Sequence, residues 1–429
     1  MNRSIKIYLV VFFGMSMYMS CTPDDFLEPK PLSFYAPENI YVNKEGFEAL
    51  LITMRKSLTK EHTGNRDLMH HQWNVTDAAV PNVQLDLTQL TPSVDRYSNY
   101  IGQINDMFGF VKNANVAISR IDNLDGEDPA VKNQILAEAL WHRAYWYYRL
   151  THNYGDVPFV GEEVLGPKLD FNTHSHWAIL DKIQKDLEFS VQYLPETAVP
   201  GAVTRGAGYH LLAKVYLANL EFDKAITAAS EVINGPYALM TERFGVDASN
   251  PDKNVIWDLH RPDNRNLSTN KENILSIVDR FEAPDDAKSP GLWTMRTYHP
   301  AWWHSRHRDS EGNRGMIDAG PTYDSLGRGN PDAAITEWYQ YDIWEEGNYD
   351  WKSTPDLRRA DENWKDIEEM TYNNVESVDY GKPWRLEYMT GDPYQALSSM
   401  YAMPIYKTMV FQHDPAARPF GGNGDWYVF

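Results

Sequence analysis

From residue 45 to residue 234, apolar residues recur at the spacing of an amphipathic α-helix, and this pattern restricts the fold more than any other feature of the chain. Six segments show it: residues 45–58, 105–121, 130–152, 177–194, 204–217 and 224–234. Pro129 precedes the third segment, and Gly155 and Pro158 follow it, which indicates where that helix starts and stops. The first half of the chain is therefore predicted to be helical.

The last two segments read as a helix–turn–helix pair with many small residues. Ala207, Gly208 and Ala213 lie in one helix, Ala225 and Ala229 in the other, and residues 221–223 form a tight break between them. Small residues where helices cross, with larger ones filling the gaps, indicate a tetratricopeptide-type unit. Segments 130–152 and 177–194 resemble an earlier unit that an insertion has split. Because such units bury their faces against neighbours, the remaining helices are expected to cover them.

The pattern changes at about residue 240. Helical periodicity weakens after this point, and glycine, proline, asparagine and aspartate become more frequent. We predict a helical scaffold over residues 21–240 and a loop-rich subdomain over residues 241–429. The fold class is therefore mostly α.

The N-terminal segment contains the only cysteine of the chain, Cys21. Arg3 and Lys6 precede an apolar run at residues 7–20, which is typical of a secretory signal. These 14 residues are too few to cross a bilayer, which takes roughly 20. The pattern predicts a signal at residues 1–20 and a bacterial lipoprotein acylated at Cys21. An ordinary signal peptide with an incidental cysteine is the alternative.

Charge and cysteine content exclude several classes of protein. Removal of residues 1–20 takes away two basic residues and no acid, which leaves 38 basic and 60 acidic residues and a net charge of −22. A charge of this sign repels phosphate backbones and argues against nucleic acid as a partner. With a single cysteine, the chain has neither a disulfide framework nor a thiolate zinc site. The composition favours an exported body that is attached to a membrane and not threaded through it.

The end of the third helix resembles the hallmark segment of the SusD/RagB-like proteins, which are outer-membrane glycan-binding lipoproteins of Gram-negative bacteria. It reads Arg-Ala-Tyr-Trp-Tyr-Tyr-Arg-Leu at residues 143–150 and Asn-Tyr-Gly-Asp-Val-Pro-Phe-Val at residues 153–160. Other similar stretches follow in family order: residues 26–31, 34, 37–39, 186–188, 194–195, 213–217, 272–277 and 356–358. The resemblance covers residues 21 to about 360.

The resemblance implies both a fold and a role. The fold is a scaffold of tetratricopeptide-like helical repeats that carries a loop-rich, aromatic-rich ligand-binding subdomain. The role is that of a cell-surface lipoprotein that binds oligosaccharide or polysaccharide and delivers it to a TonB-dependent outer-membrane transporter, without catalysis or a cofactor. The pair Asp24-Asp25 resembles the tag that sends such lipoproteins to the cell surface. Family members usually continue into further helical repeats past the equivalent of residues 425–429, so we expect the last repeats to be missing from this sequence.

Two groups of aromatic residues in the second half are candidates for the sugar-binding surface. The first comprises Trp293, Tyr298, Trp302 and Trp303, with three histidines among them, and the second spans residues 338–351. The apolar face of a pyranose ring stacks on the electron-rich face of Trp or Tyr. We predict that at least one residue of the first group contacts ligand. The alternative for any single tryptophan is the core of a subdomain that lacks long helices.

A second candidate site lies early in the chain. In the resembling family, the loop after a Thr-Asp pair often supplies ligand contacts, and here Thr76-Asp77 is followed by Asn82 and Gln84. We predict ligand contacts from these two side chains. A polar loop on a helical body is the alternative.

No pattern in the sequence indicates a nucleophile or a metal site. The adjacent acids at residues 345–346, 361–362 and 368–369 point in different directions on a regular element, whereas a glycosidase needs two carboxyls that face each other. His304 and His307 lack the surrounding pattern of a zinc helix, so solvated or stacking roles are favoured over metal binding. Three alternatives stay open: an α-helical glycoside hydrolase or lyase, an adaptor that binds peptide or protein in its helical repeats, and a member of the resembling family that binds peptide instead of glycan.

Overall fold

The computed structural model describes residues 37–61, 76–81, 95–278, 299–326, 329, 333–391 and 399–405. The predicted signal, Cys21 and the Asp24-Asp25 pair lie outside these residues. The α-helices are α1 (Pro37–Ile40), α2 (Lys44–Ser57), α3 (Asp95–Arg120), α4 (Pro129–Tyr154), α5 (His176–Tyr193), α6 (Arg205–Ala218), α7 (Phe222–Ile233), α8 (Val255–His260), α9 (Pro262–Arg265), α10 (Gly320–Leu326) and α11 (Glu337–Gln340). The strands are β1 (Ala79–Pro81), β2 (Val157–Pro158), β3 (Thr173–His174), β4 (Ala333–Ile335), β5 (Trp364–Lys365) and β6 (Met403–Pro404).

The ends of the scaffold helices follow from their capping residues. Asp128 accepts a hydrogen bond from the Ala130 amide at 2.8 Å, with Pro129 in the first helical position of α4. This helix ends at Gly155, whose φ of 70° suits a residue without a side chain. Thr204 caps α6 in the same way as Asp128 caps α4. The predicted start and stop of the third helix are confirmed to within two residues.

Helix α3 is longer than the periodicity predicts. It begins at Asp95, ten residues before the segment 105–121 that carries the apolar stripe. A helix that has already nucleated can extend through polar residues, because each further residue adds a hydrogen bond without a new nucleation cost. Apolar spacing marked residues 105–121 of α3 and missed its first ten residues, although Ile104 also packs against the large core.

Helices α3 to α7 form one array in which each helix packs against the next, and α2 packs against α3 and α4. Their buried side chains form one large core and a smaller one around α2. The largest fully buried side chains of the array include Trp146, Tyr147, Phe47 and Met107. Residues Ile274, Leu275 and Ile277 also pack against the large core, from a segment beyond residue 240. The predicted mostly α fold is confirmed, whereas the boundary at residue 240 stays a prediction.

The second half consists of short helices and two-stranded sheets around two further cores. One contains Trp302, Tyr372 and several methionines, and the other contains Trp257, Trp344 and Trp364.

All three sheets of the described residues are antiparallel pairs: β1 with β4, β2 with β3, and β5 with β6. None of the helices within the described residues is long and apolar enough to span a bilayer.

Candidate functional site

The structure describes two members of the first aromatic group, Trp302 and Trp303. Trp293 and Tyr298 lie outside the described residues. Trp302 is 0% exposed and packs with Tyr323 at a ring-centroid distance of 6.3 Å, within a core that includes Met316 and Met403. An indole without an accessible face cannot stack on a sugar. This corrects the prediction for Trp302, which is a core residue.

Trp303 is half-buried at the edge of the same core. Its indole Nε1 donates to the Gly329 carbonyl at 2.8 Å, and its own carbonyl accepts from Arg314 Nη2 at 3.1 Å. A Cβ at residue 329 would lie 2.1 Å from the Pro300 carbonyl oxygen, so glycine is required for this close approach. Trp303 is therefore held at a fixed orientation with part of its ring accessible, and a ligand contact there stays a prediction.

The early candidate loop is joined to the second aromatic group. Asn82 and Gln84 themselves lie outside the described residues, but β1 ends directly before them and pairs with β4, with Pro81 opposite Ala333. The Thr336 hydroxyl donates to the Asp77 carbonyl at 2.8 Å, and its amide donates to the Ala78 carbonyl at 3.1 Å. The start of the polar loop and the start of α11 are therefore fixed to each other.

The segment that follows this junction, residues 337–351, presents aromatic side chains to solvent; we call it the aromatic segment. Trp338 is 45% exposed and Tyr349 is 47% exposed. Tyr339, Tyr341 and Trp351 are half-buried. Trp338 lies two residues after Thr336, which is bonded to Asp77 and Ala78.

A packed aromatic core supports the aromatic segment from below. Trp344 and Trp364 meet edge to face with ring centroids 6.1 Å apart, and Tyr339 packs on Trp344 at 5.8 Å. The buried guanidinium of Arg359 lies between the rings of Trp351 and Trp364, at 4.4 and 4.5 Å from their centroids. Cation–π contacts of this kind stabilise most when water is excluded. The aromatic segment is therefore anchored through Tyr339 and Trp344 in a packed core.

Strand β5 contributes Trp364 to this core, and an ion pair lies next to that ring. Arg359 Nη2 donates to Asp366 at 2.8 Å, and burial raises the pKa of that carboxyl while Arg359 opposes the rise. Burial also raises the pKa of Tyr341 to about 12, so its hydroxyl stays protonated at neutral pH. The half-buried Tyr341 can therefore donate a hydrogen bond as well as accept one.

Two of the acids considered for catalysis, Glu362 and Glu369, have structural partners. Glu369 accepts from the Asp366 amide at 2.9 Å and caps a short 3₁₀-helix at Ile367–Glu369. Glu362 accepts from Asn254 Nδ2 at 2.9 Å. These carboxylates hold loops together, and this role needs no facing acid across a cleft.

His307 is fully buried and both its ring nitrogens are occupied. Trp384 Nε1 donates to Nδ1 at 2.9 Å, so the ring proton lies on Nε2, which faces the Ala301 carbonyl at 3.2 Å. Burial lowers the pKa of His307 to about 4, and the ring packs edge to face on Trp384. A stacking role therefore describes His307. In the part of the chain that the structure describes, no three His, Cys, Asp or Glu side chains converge as a metal site would require.

The helical scaffold contains a separate cleft of about 430 Å³ between α4, α6 and residues 272–277; we call it the scaffold cleft. Its walls are mainly aromatic and aliphatic: Leu58, Trp141, Tyr145, Tyr148, Leu211 and Ile274. Pockets for small ligands typically measure about 300–1,000 Å³ and have mostly apolar walls. The cleft could not be predicted from the sequence, because its three walls are distant in the chain.

Two cations line the scaffold cleft. Arg149 is held by Glu61 through two bonds of 2.8 Å, from Nε to Oε1 and from Nη2 to Oε2. Lys214 is exposed, and no ion pair joins it to another residue within the described ranges. Burial and the positive charge of Lys214 lower the pKa of His210, which also lines the cleft. The cleft therefore combines apolar walls with an uncommitted ammonium group.

Comparison with known proteins identifies relatives of one kind. A family model named SusD-like_3, described as "Starch-binding associating with outer membrane", matches residues 25–217. SusD-like protein P25 of Formosa agariphila is 22% identical over 339 residues, which are 72% of this chain and 60% of that protein. The chain spans between 40% and 60% of the length of the curated relatives that it matches.

Solved structures share the fold. A laminarin-binding SusD-like protein superposes with a TM-score of 0.55 at 17% identity, covering 84% of this chain and 77% of that chain. Surface glycan-binding protein A from Bacteroides fluxus gives a TM-score of 0.56 at 16% identity, covering 86% of this chain and 75% of its own. At such identities the likeness concerns the fold, and the predicted tetratricopeptide-like helical scaffold is confirmed.

Proposed function

Because this chain belongs to the SusD-like family, we propose that it binds oligosaccharide or polysaccharide at the outer surface of the cell and passes it unchanged to a TonB-dependent outer-membrane transporter. The family model describes starch binding and association with the outer membrane. One of the solved structures that share the fold binds laminarin. Fold alone does not determine function, so the proposal depends on the site.

The observation that carries the proposal is the position of Trp338. Its indole is 45% exposed, and in the chain Trp338 lies between Thr336, which binds Asp77, and Tyr339, which packs on the aromatic core. An exposed large aromatic side chain that is rigidly supported loses little conformational entropy when a ligand stacks on it. This arrangement suits the repeated, low-polarity faces of a glycan chain.

Polar groups beside the ring can pair with sugar hydroxyls. Asp77 and Glu337 are exposed; Glu337 precedes Trp338 in the chain, and the Asp77 carbonyl accepts a hydrogen bond from Thr336. The predicted contacts Asn82 and Gln84 follow β1 in the chain. Carboxylates accept hydrogen bonds from hydroxyls, and amides both donate and accept them. We assign ligand contacts to Trp338, Asn82 and Gln84, with Trp303 as a further candidate.

Binding without chemistry is consistent with the acids at the site. Of the acids that could serve in hydrolysis, Glu369 caps a turn and Glu362 binds the side-chain amide of Asn254. A protein that delivers a glycan must bind it and release it, and tight transition-state contacts serve neither step. We propose that this protein is not an enzyme.

Attachment to the membrane is proposed through Cys21. Acylation there would hold the body at the outer membrane, and the acidic pair Asp24-Asp25 would direct it to the cell surface. A single acyl chain gives only reversible binding, so stable attachment requires the several chains of a bacterial lipoprotein or a second contact. A transporter barrel beside the scaffold would supply that contact.

The test is calorimetric titration of the chain from Thr22 onward against a panel of plant, algal and bacterial polysaccharides, with reducing ends assayed in the same mixtures. Saturable binding without release of reducing ends is expected. Trp338→Ala should weaken that binding at least about tenfold, which corresponds to 1.4 kcal/mol. Trp177→Ala is the matched control, because Trp177 is equally exposed at 49% but lies on α5 of the scaffold.

Two results would contradict the proposal. Release of reducing ends that scales with protein concentration would favour the glycoside hydrolase or lyase. Equal losses of affinity in Trp338→Ala and Trp177→Ala would mean that the aromatic segment is not the site.

The scaffold cleft supports a second candidate function, binding of an acidic peptide. An extended peptide could place an apolar side chain against Tyr145 and Tyr148 and a carboxylate beside Lys214. Titration with a library of short acetylated peptides tests it. Lys214→Met should abolish binding of acidic peptides there, whereas Trp338→Ala should leave it unchanged.

A further inference from the structure

Exposed acids flank the two exposed rings of the aromatic segment along the chain. Glu337 directly precedes Trp338, and Tyr349 lies between Glu346 and Asp350. Residues 333–369 contain eleven acidic and four basic residues, a net charge of −7. A ligand that stacks on these rings therefore meets negative charge on the protein side.

The four basic residues of this stretch are already engaged. Arg358 binds Asp356 at 2.6 Å, Arg359 binds Asp366 at 2.8 Å, and Lys365 lies 3.6 Å from Glu369. The Lys352 ammonium lies 4.7 Å from the centroid of the Trp351 ring. Recognition of a carboxylate or sulfate normally uses an Arg fork or a Lys that is free to bind it.

Exposed acids on the same stretch are not neutralised in this way. Within the described residues, no ion pair involves Glu337, Asp342, Glu345, Glu346 or Asp350. Their repulsion of an anionic glycan acts over a Debye length of about 8 Å at physiological salt, and the net charge of the whole chain adds to it. The carboxylate of Glu337, next to Trp338 in the chain, can accept hydrogen bonds from the hydroxyls of an uncharged sugar.

We infer that the aromatic segment selects uncharged glycans and rejects those that carry carboxylate or sulfate groups. The inference rests on the proposed function, because it concerns the ligand of the same site. Selection works by repulsion of the wrong class as well as by attraction of the right one. The charge pattern thus narrows the substrate class, which the exposed rings alone leave open.

The experiment compares one glycan with its own charged derivatives, so that linkage and size stay constant. The uncharged polysaccharide that binds best to the chain from Thr22 onward is oxidised at its primary hydroxyls to the uronate, and a second portion is sulfated. Each is titrated with EDTA present, at about 50 mM and about 500 mM NaCl, which shortens the Debye length from about 14 to about 4 Å. Both charged derivatives should bind at least about tenfold more weakly at low salt and recover part of that loss at high salt.

A double charge reversal tests the assignment to this surface. Glu346→Lys with Asp350→Lys should restore binding of the uronate derivative at low salt by about tenfold or more and leave the uncharged glycan within about twofold. Asp122→Lys with Asp125→Lys makes the same change in net charge at exposed positions between α3 and α4 and should restore far less.

Each outcome separates this inference from the proposed function. If the charged derivatives bind as tightly as the parent, or if only anionic members of the panel bind, charge selection is wrong while glycan binding stands. If no glycan of either class binds, the proposed function fails and the inference fails with it. Equal effects of the two double variants would attribute selection to net charge and overturn the role of the aromatic segment.

Discussion

The guanidinium of Arg143 binds the carboxylate of Asp186 in the interior of the scaffold, with Nη2 at 2.7 Å and Nε at 3.0 Å from the same oxygen. Arg143 also donates from Nη1 to the Gly161 carbonyl at 2.8 Å and to Asn115 at 3.3 Å. One side chain of α4 thereby joins α5, α3 and the loop that follows Gly155. The pair therefore joins the hallmark segment at residues 143–150 to the Asp-Leu-Glu stretch at residues 186–188, and both stretches resemble the family.

Replacement of Arg143 by Met is expected to lower the free energy of unfolding by about 3–5 kcal/mol, because it leaves the buried Asp186 carboxylate without its main partner. Urea denaturation measures this loss. Lys182→Met is the control: Lys182 binds the same carboxylate but is largely exposed, so its loss should cost about 1 kcal/mol or less. Equal losses in the two variants would contradict the dominant role of Arg143.

Trp302 and Trp338 are expected to respond oppositely to truncation. Trp302→Ala removes a fully buried indole and should lower the free energy of unfolding by about 3–5 kcal/mol. Trp338→Ala changes an exposed side chain and should alter stability by about 1 kcal/mol or less, while glycan binding falls. Thermal unfolding and calorimetry on both variants check this. Loss of glycan affinity in a Trp302→Ala protein that remains fully folded would restore Trp302 to the binding surface.

The helices were predictable because their information is local. Apolar spacing and the stop at Gly155 located α4 and α5 to within two residues, and capping by Thr204 placed α6. The N-terminal extension of α3 was missed, since residues 95–104 carry no clear apolar stripe.

The site was predictable only in part, because its assembly is not local. Neighbouring tryptophans in the chain gave no indication that Trp302 turns inward while Trp303 keeps part of its ring accessible. Pairing of Ala79–Pro81 with Ala333–Ile335 brings together residues more than 250 positions apart, and no pattern in either strand announces it. The exposure of Trp338, like this pairing, has no signature in the sequence, so the second aromatic group could not be preferred from sequence.

Thr336 is expected to position the binding surface. Thr336→Val keeps the shape of the side chain but removes the hydroxyl that donates to Asp77 and accepts from the Tyr339 amide. The loss of these two bonds should cost about 1 kcal/mol of stability and lower glycan affinity severalfold, since Trp338 is then less firmly held.

Thr227→Val is the matched control for this change. Thr227 also donates its hydroxyl to a backbone carbonyl, that of Asp223 at 2.9 Å, but it lies on α7 of the scaffold. Glycan affinity should be unchanged in Thr227→Val. A Thr336→Val protein with unaltered glycan affinity would show that the β1–β4 junction does not position the site.

If Cys21 is acylated, loss of this cysteine should move the protein from the detergent phase to the aqueous phase. In Gram-negative cells that express the full chain, metabolic labelling with an alkyne fatty acid should mark the wild type and should not mark Cys21→Ser. In Triton X-114 the wild type should enter the detergent phase and the variant the aqueous phase. Labelling of Cys21→Ser would indicate an anchor elsewhere.

His307 is expected to make stability depend on pH. Its pKa is about 4 in the folded state, because the ring is buried and because the positive charge of Arg306 and a protonated His304 would disfavour a second charge. The unfolded chain has the ordinary value of about 6.5, so it binds a proton at higher pH than the folded state. Stability from the neutral ring is therefore complete above about pH 6.5 and is lost as the pH falls toward 4. The loss is roughly 3 kcal/mol.

Other groups titrate in the same range, so the prediction concerns the difference between the wild type and His307→Gln. Glutamine does not titrate, and its amide can accept from Trp384 and donate to the Ala301 carbonyl. Urea denaturation at about pH 7 and about pH 4.5 should show that the wild type loses some 2–3 kcal/mol more than the variant. Contributions from His299 and the acids are present in both proteins and cancel. Parallel losses in the two proteins would mean that His307 takes up its proton in the folded state, and that the Trp384 bond does not require the neutral ring.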